Sequence, residues 1–283
     1  MVKNNSWNFD ATYVIGDILY ASDSSTLSKL SIGSESEVLT VVTGALAYQA
    51  SSSPANINNQ TFSLWDDFNC AGGLDGAASQ NWWRDLSTGT SGALLSLTGY
   101  NNHPGVVVLN TGTSSSGYGE IGWELSTAVG SVAFGGGTFD MTFINKIATT
   151  ATSSQDFTMA WGWRNAANTS GATTDGAWFQ YNRTTNSGRW TIRTMKASSG
   201  TTANTTTTPD TNWHTYKISV NADGTSVSFF IDGVEVSNSP IVTNIPVAKV
   251  SPFFNIIKTA GSTNRTVEID YWQLDVNLTS ARA

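Results

Sequence analysis

Glu120 and Glu124, in Glu120-Ile121-Gly122-Trp123-Glu124, come nearest in type and spacing to catalytic residues. On a strand the two would share a face, and a pair of carboxyl groups is the machinery of glycoside hydrolysis. Retaining cleavage wants the carboxyls about 5 Å apart. Four strand positions separate the backbones by about 13 Å. Long side chains can lean together, but the expected role of this pair is a solvent face opposite the core residues Ile121, Trp123 and Leu125. The imidazoles available as bases are His103, before Pro104 in a turn, and His214, beside Trp213 on a strand. Both are expected to be structural. No Gly-x-Ser-x-Gly elbow sits between a strand and a helix. No phosphate loop or dinucleotide fingerprint is present, and Gly135-Gly136-Gly137 has neither helix nor lysine in place after it.

Metal chemistry is equally thin. Cys70 is the single cysteine, so no intrachain disulfide and no cysteine-based metal site can form within one chain. Asp66, Asp67, Asp75 and Asp85 could offer oxygens to calcium but match no defined loop. No metal and no cofactor is expected. Aromatic residues are the richer signal, with 11 Trp, 12 Phe and 8 Tyr. Rings stack on sugars, although strand aromatics more often fill a core. Trp161, Trp163, Tyr181 and Trp190 are expected in the core. Trp82 and Trp83 are adjacent, so on a strand one of them leaves the core. In Trp178-Phe179-Gln180-Tyr181-Asn182-Arg183, one face carries Trp178, Gln180 and Asn182, and the other Phe179, Tyr181 and Arg183. A polar face with one aromatic suits a glycan groove and also an ordinary outer sheet. Trp82, Trp178, Gln180, Asn182 and Arg183 are the candidate glycan-binding residues.

The elements that must position them read as strands. Period-two alternation runs through Asp140–Ile144, Phe157–Arg164, Val227–Ile231 and Val267–Tyr271, while sustained helical spacing is nearly absent. Clusters of Gly, Asn, Asp and Ser separate the runs, as in a β-sandwich or barrel. Asp232-Gly233 between apolar residues signals a type I′ hairpin. Ala197–Asn212, rich in Thr and Ser, reads as an exposed excursion. A polar stretch around Pro54 reads as a linker, giving residues 1–60 and 61–283 as the two parts. The first part is too poor in large side chains to make its own core, so it is expected to pair with other copies or another protein. Ile18, Leu19, Tyr20, Leu27, Leu30, Ile32, Val38 and Leu39 are its candidate oligomerisation and attachment residues.

Charge and composition exclude further classes. The net charge is -7, with no basic stripe, which argues against a nucleic-acid binder. No window of about 18 apolar residues occurs, so no membrane insertion is expected. Ser, Thr and Asn supply about a third of the chain, a style suited to an all-β surface protein. The opening Met1–Trp7 lacks the apolar segment of a signal peptide. A protein made in a host cytoplasm and released by lysis reconciles the two.

Two resemblances sharpen this reading. Gly16-Asp17-Ile18-Leu19-Tyr20-Ala21, Leu27 to Gly33, Val38-Leu39-Thr40-Val41 and Tyr48-Gln49 together resemble a module of tailed-phage fibre and other virion proteins. His103-Pro104-Gly105-Val106, with the Thr/Ser/Gly turn beyond it, is similar to sequences in such proteins. Trp213–Val220, Asn221-Ala222-Asp223-Gly224 and Val227–Gly233 resemble paired strands of concanavalin-A-like and laminin-G-like jelly rolls. Ile269-Asp270-Tyr271-Trp272 resembles the last strand, beside a first strand near Phe62–Phe68. Laminarinase-type glucanases share that sandwich and carry three carboxylates at alternate positions; here Gly122 stands where the central one would be. The resemblances imply an all-β protein: a small extended N-terminal oligomerisation and attachment segment, then a concanavalin-A-like jelly-roll β-sandwich. The implied role is non-enzymatic: a head fibre, capsid decoration or tail-fibre tip on the virion surface. Its partners would be a homotrimer of itself, other virion proteins and host surface glycans. Alternatives are an architectural decoration protein without ligand, a glycoside hydrolase and a cellular secreted lectin.

Overall fold

A computed structural model of the chain describes residues 18–21, 27–31, 37–42, 45–50, 60–68, 83–87, 92–96, 100–123, 131–166 and 173–280. The chain divides into two units, Met1–Asn59 and Gln60–Ala283. In the first, β1 (Ile18–Ala21) pairs antiparallel with β2 (Leu27–Leu30), and β3 (Glu37–Val42) with β4 (Ala45–Ala50). Ile18, Tyr20 and Leu30 are half-buried, and Leu39 is exposed. Leu19, Leu27 and Val38 lie in these strands; Ile32 falls outside the described residues.

The second unit continues with β5 (Thr61–Asp66), β6 (Arg84–Ser87), β7 (Gly92–Ser96), β8 (Val106–Asn110) and β9 (Tyr118–Gly122). Next come β10 (Gly137–Ile147), β11 (Phe157–Arg164), β12 (Gly176–Asn182), β13 (Thr191–Lys196) and β14 (Ser199–Asn204). Then follow β15 (Trp213–Val220), β16 (Val227–Ile231), β17 (Val234–Glu235), β18 (Ser251–Lys258) and β19 (Thr266–Leu278). No α-helix occurs among the described residues.

These strands form two antiparallel sheets. The eight-stranded sheet runs β17-β16-β15-β10-β19-β8-β7, with β5 added on β19; the seven-stranded sheet runs β14-β13-β12-β11-β18-β9-β6. The fold is an all-β sandwich of two antiparallel sheets, as expected. As the resemblance implies, β5 lies beside β19, with Trp272 opposite Asp66.

Strict alternation decides what fills the space between the sheets. In β10, Phe139, Met141 and Phe143 point inward while Asp140, Thr142 and Ile144 are only half-buried. Trp161, Trp190, Phe179 and Tyr216 meet at ring separations of 4.8–6.2 Å. Offset and edge-on contacts of this kind add to the area that the rings bury. The predicted core places of Trp161, Trp163, Tyr181 and Trp190 hold.

Two expectations are corrected. Ala197–Asn212 is not wholly a loop, because Ser199–Asn204 forms β14 on the edge of the seven-stranded sheet. An edge strand needs backbone pairing and β-branched residues, not large apolar ones, and its threonines suffice. Glu120 faces no solvent; it is fully buried.

Candidate functional site

Middle strands of the two sheets differ in one respect. β10 and β16 bury one face each, whereas β18 buries residues of both faces and β11 does so at its C-terminal end. The outward face of the seven-stranded sheet is therefore recessed. It holds a shallow groove of about 120 Å³, open to solvent, with room for one part of a ligand.

Alternation puts Trp178 and Gln180 of β12 into this groove, and Phe179 and Tyr181 into the core. β13 adds Arg193 beside them, since Trp178 pairs with Arg193 in register. β11 ends on Arg164, and β18 contributes Phe253 and Asn255. Gln180 is the hinge of one wall: its Oε1 accepts from Trp178 Nε1 at 3.4 Å and from Arg193 Nη1 at 2.9 Å. The Arg193 guanidinium lies 5.1 Å from the Trp178 ring centroid, a cation–π arrangement. Gly176 makes room for the indole: a Cβ there would sit 2.8 Å from Trp178 Cζ3 and 2.5 Å from Trp163 O.

The other wall is ionic. Arg164 Nη2 donates to Glu120 Oε1, and both residues are buried. The Arg164 guanidinium lies 3.9 Å over the Phe253 ring. Burial pushes the Arg164 pKa below its ordinary value, and the Glu120 carboxylate pulls it back. Half-burial lowers the Arg193 pKa too, with no carboxylate acting against it. Both guanidiniums stay charged at neutral pH.

Of the candidate glycan-binding residues, Trp178 and Gln180 meet in the groove. Asn182 shares their strand face but closes a turn, its Oδ1 accepting from Thr184 N and Oγ1 at 2.8 and 2.7 Å. Arg183 does not join them. It lies on the other face, just past the strand, and pairs with Asp156 at 3.3 Å. Trp82 lies outside the described residues. Arg164, Arg193, Phe253 and Asn255 went unread in the sequence, although alternation in Thr191-Ile192-Arg193 already sets Arg193 opposite core residue Ile192. Glu124, the other half of the carboxylate pair, is outside the described residues. No group of three or more His, Cys, Asp or Glu able to hold a metal occurs among the described residues.

A sequence family described as "SO2946-like, C-terminal domain" matches residues 102–270, more than half of the chain. The chain belongs to this family. The matched span of this SO2946-like domain carries every groove residue named above. Curated protein sequences give no match. Among solved structures, the carbohydrate recognition domain of Emp47p is similar over 78% of this chain and 96% of its own, at 10% identity and a TM-score of 0.48. An endo-1,3-beta-glucanase from Streptomyces sioyaensis is similar over 77% and 97%, at 15% identity and a TM-score of 0.49. A carbohydrate esterase from the Shiga toxin-encoding bacteriophage phi24B is similar over 78% and 98%, at 13% identity and a TM-score of 0.46. At such identities the likeness is one of backbone architecture.

Proposed function

We propose that the SO2946-like domain is a non-enzymatic, lectin-like module that binds glycans in the groove of the seven-stranded sheet. The observation that carries this reading is the Trp178–Gln180–Arg193 wall, an indole and two polar groups fixed by one another on a recessed face. Preorganised polar groups around an aromatic are what orient a sugar. Trp178 is itself 7% exposed, so a sugar would pack on the joined indole and guanidinium rather than on a bare ring. Catalysis is disfavoured because no carboxylate is among the described residues lining the groove, and buried Glu120 is held by Arg164.

The wider setting belongs to the same proposal. The resemblance of residues 16–49 to a phage virion module supports a trimeric appendage on the virion surface, with capsid or tail proteins as further partners. A glycan array probed with the full-length protein is the test. Binding that Trp178→Ala lowers at least tenfold, in a variant that melts as a folded protein, supports the reading. A blank array with the protein still decorating capsids leaves the architectural alternative. Release of reducing sugar that Glu120→Gln abolishes, in a variant that still melts as a folded protein, would instead make it a glycoside hydrolase.

A further inference from the structure

The groove is unevenly charged. Arg164 and Arg193 both line it, and Glu120 is paired to Arg164 alone. Among the described residues Arg193 forms no ion pair; its guanidinium has the Gln180 oxygen and the Trp178 ring. Nε of Arg193 is buried without a hydrogen-bond partner, and so is Nε of the almost fully buried Arg164. Removing a cation from water costs free energy unless an opposite charge compensates it. Half-desolvated Arg193 lines this recess with no opposite charge to compensate it among the described residues. Its fork geometry fits an oxyanion, and Trp178 and Gln180 hold the plane of that fork. The whole protein is acidic, at -7, so this local surplus of positive charge runs against the general field.

We infer that the groove selects acidic sugars, those carrying a carboxylate or a sulfate, with the anionic group seated on Arg193. This inference rests on the glycan-binding reading and narrows it to one substrate class. Arg193 supplies the charge, Gln180 and Trp178 position it, and Arg164 is neutralised by Glu120. A neutral sugar would leave the Arg193 charge as desolvated as before, or more so.

Paired probes test it. Oligogalacturonates are set against their carboxyl-reduced counterparts, and chondroitin sulfate fragments against desulfated ones, on full-length protein at low salt. In at least one pair the acidic member is expected to bind about tenfold or more tightly, the worth of one charge-assisted bond. The preference should shrink as salt rises. Arg193→Gln should abolish it, and Arg193→Lys, which keeps the charge and loses the fork, should keep part of it. The pair that responds tells carboxylate from sulfate. Equal binding of both members, or a preference that Arg193→Gln leaves intact in a folded variant, overturns the inference. Binding of neutral glycans that Trp178→Ala removes and Arg193→Gln spares would leave the glycan reading standing while this one falls. No binding to any glycan defeats both.

Discussion

Glu120 shows how one residue can change meaning between sequence and structure. Its type and spacing point to an acid–base pair, yet its burial and its bond to Arg164 make it a counter-ion. Removing one partner of a buried pair strands the other charge, at a cost of about 3–5 kcal/mol. Glu120→Gln is therefore expected to lower the urea midpoint strongly, and Glu120→Gln with Arg164→Met to regain much of the loss. Unchanged stability of the single variant would mean that the pair is not structural. His214 offers a second test. Its ring bridges Asp232 at 2.6 Å and Asp210 at 2.9 Å. Burial lowers its pKa, but the hydrogen bonds and charges of the two aspartates outweigh burial, and the net shift is upward. A raised folded-state value means that His214 adds stability fully below its unfolded pKa, about 6.5. That contribution fades as pH rises through the folded value. Melting temperatures of wild type and His214→Gln should converge as pH rises from about 6 to 8; curves that stay parallel would exclude the linkage.

At the scale of elements, the turn between β16 and β17 is the clearest case of local sequence dictating geometry. Asp232 and Gly233 both have positive φ, 50° and 78°, as a type I′ turn demands. A Cβ on Gly233 would touch nothing within 4 Å, so Gly233→Ala tests backbone strain free of any clash. It should cost about 1 kcal/mol in chemical denaturation; a loss of several times that would point to an unseen contact. Such turns and the alternation beside them were readable because their physics is local. The pairing of β5 with β19 was readable from the resemblance, which sets Phe62–Phe68 beside Ile269–Trp272. Two features were not. The register of β10 on β19 slips between Ile144 and Asn145, leaving Asp270 without an opposite residue, and the bulge hands its carboxylate to His103 at 2.7 Å. His103 also stacks on Trp213 with centroids 4.1 Å apart. A bulge depends on what the neighbouring strand demands, and nothing in Ile269-Asp270-Tyr271 announces it. The groove was half-read for the same reason. Alternation tells which side Trp178 and Gln180 take, whereas Arg164, Phe253 and Asn255 join them through strand order across the sheet.

For the whole molecule, the second unit carries its own core, with buried residues from Phe68 to Val276. A unit with a core of its own is expected to fold when residues 1–59 are removed. The first unit has a different logic. Its strands form two hairpins, β1–β2 and β3–β4, with Leu39 38% exposed, and isolated two-stranded hairpins are marginal in water. Apolar residues on such hairpins gain by pairing with copies of themselves or with another protein, and the proposed trimer is one such arrangement. One groove with a single sugar site binds weakly, and joining several grooves makes later contacts intramolecular. The gain in avidity is roughly 10²–10⁴-fold when the spacing lets the sites engage together. Full-length protein and a chain starting at Gln60 should therefore bind a soluble monovalent glycan equally. On a glycan-coated surface the full-length protein should be held at least a hundredfold more tightly, and light scattering should give a trimer for it and a monomer for the truncated chain. Equal retention of the two on that surface, or a monomeric full-length protein, would remove self-association from the role of the first unit and leave docking on another protein in its place.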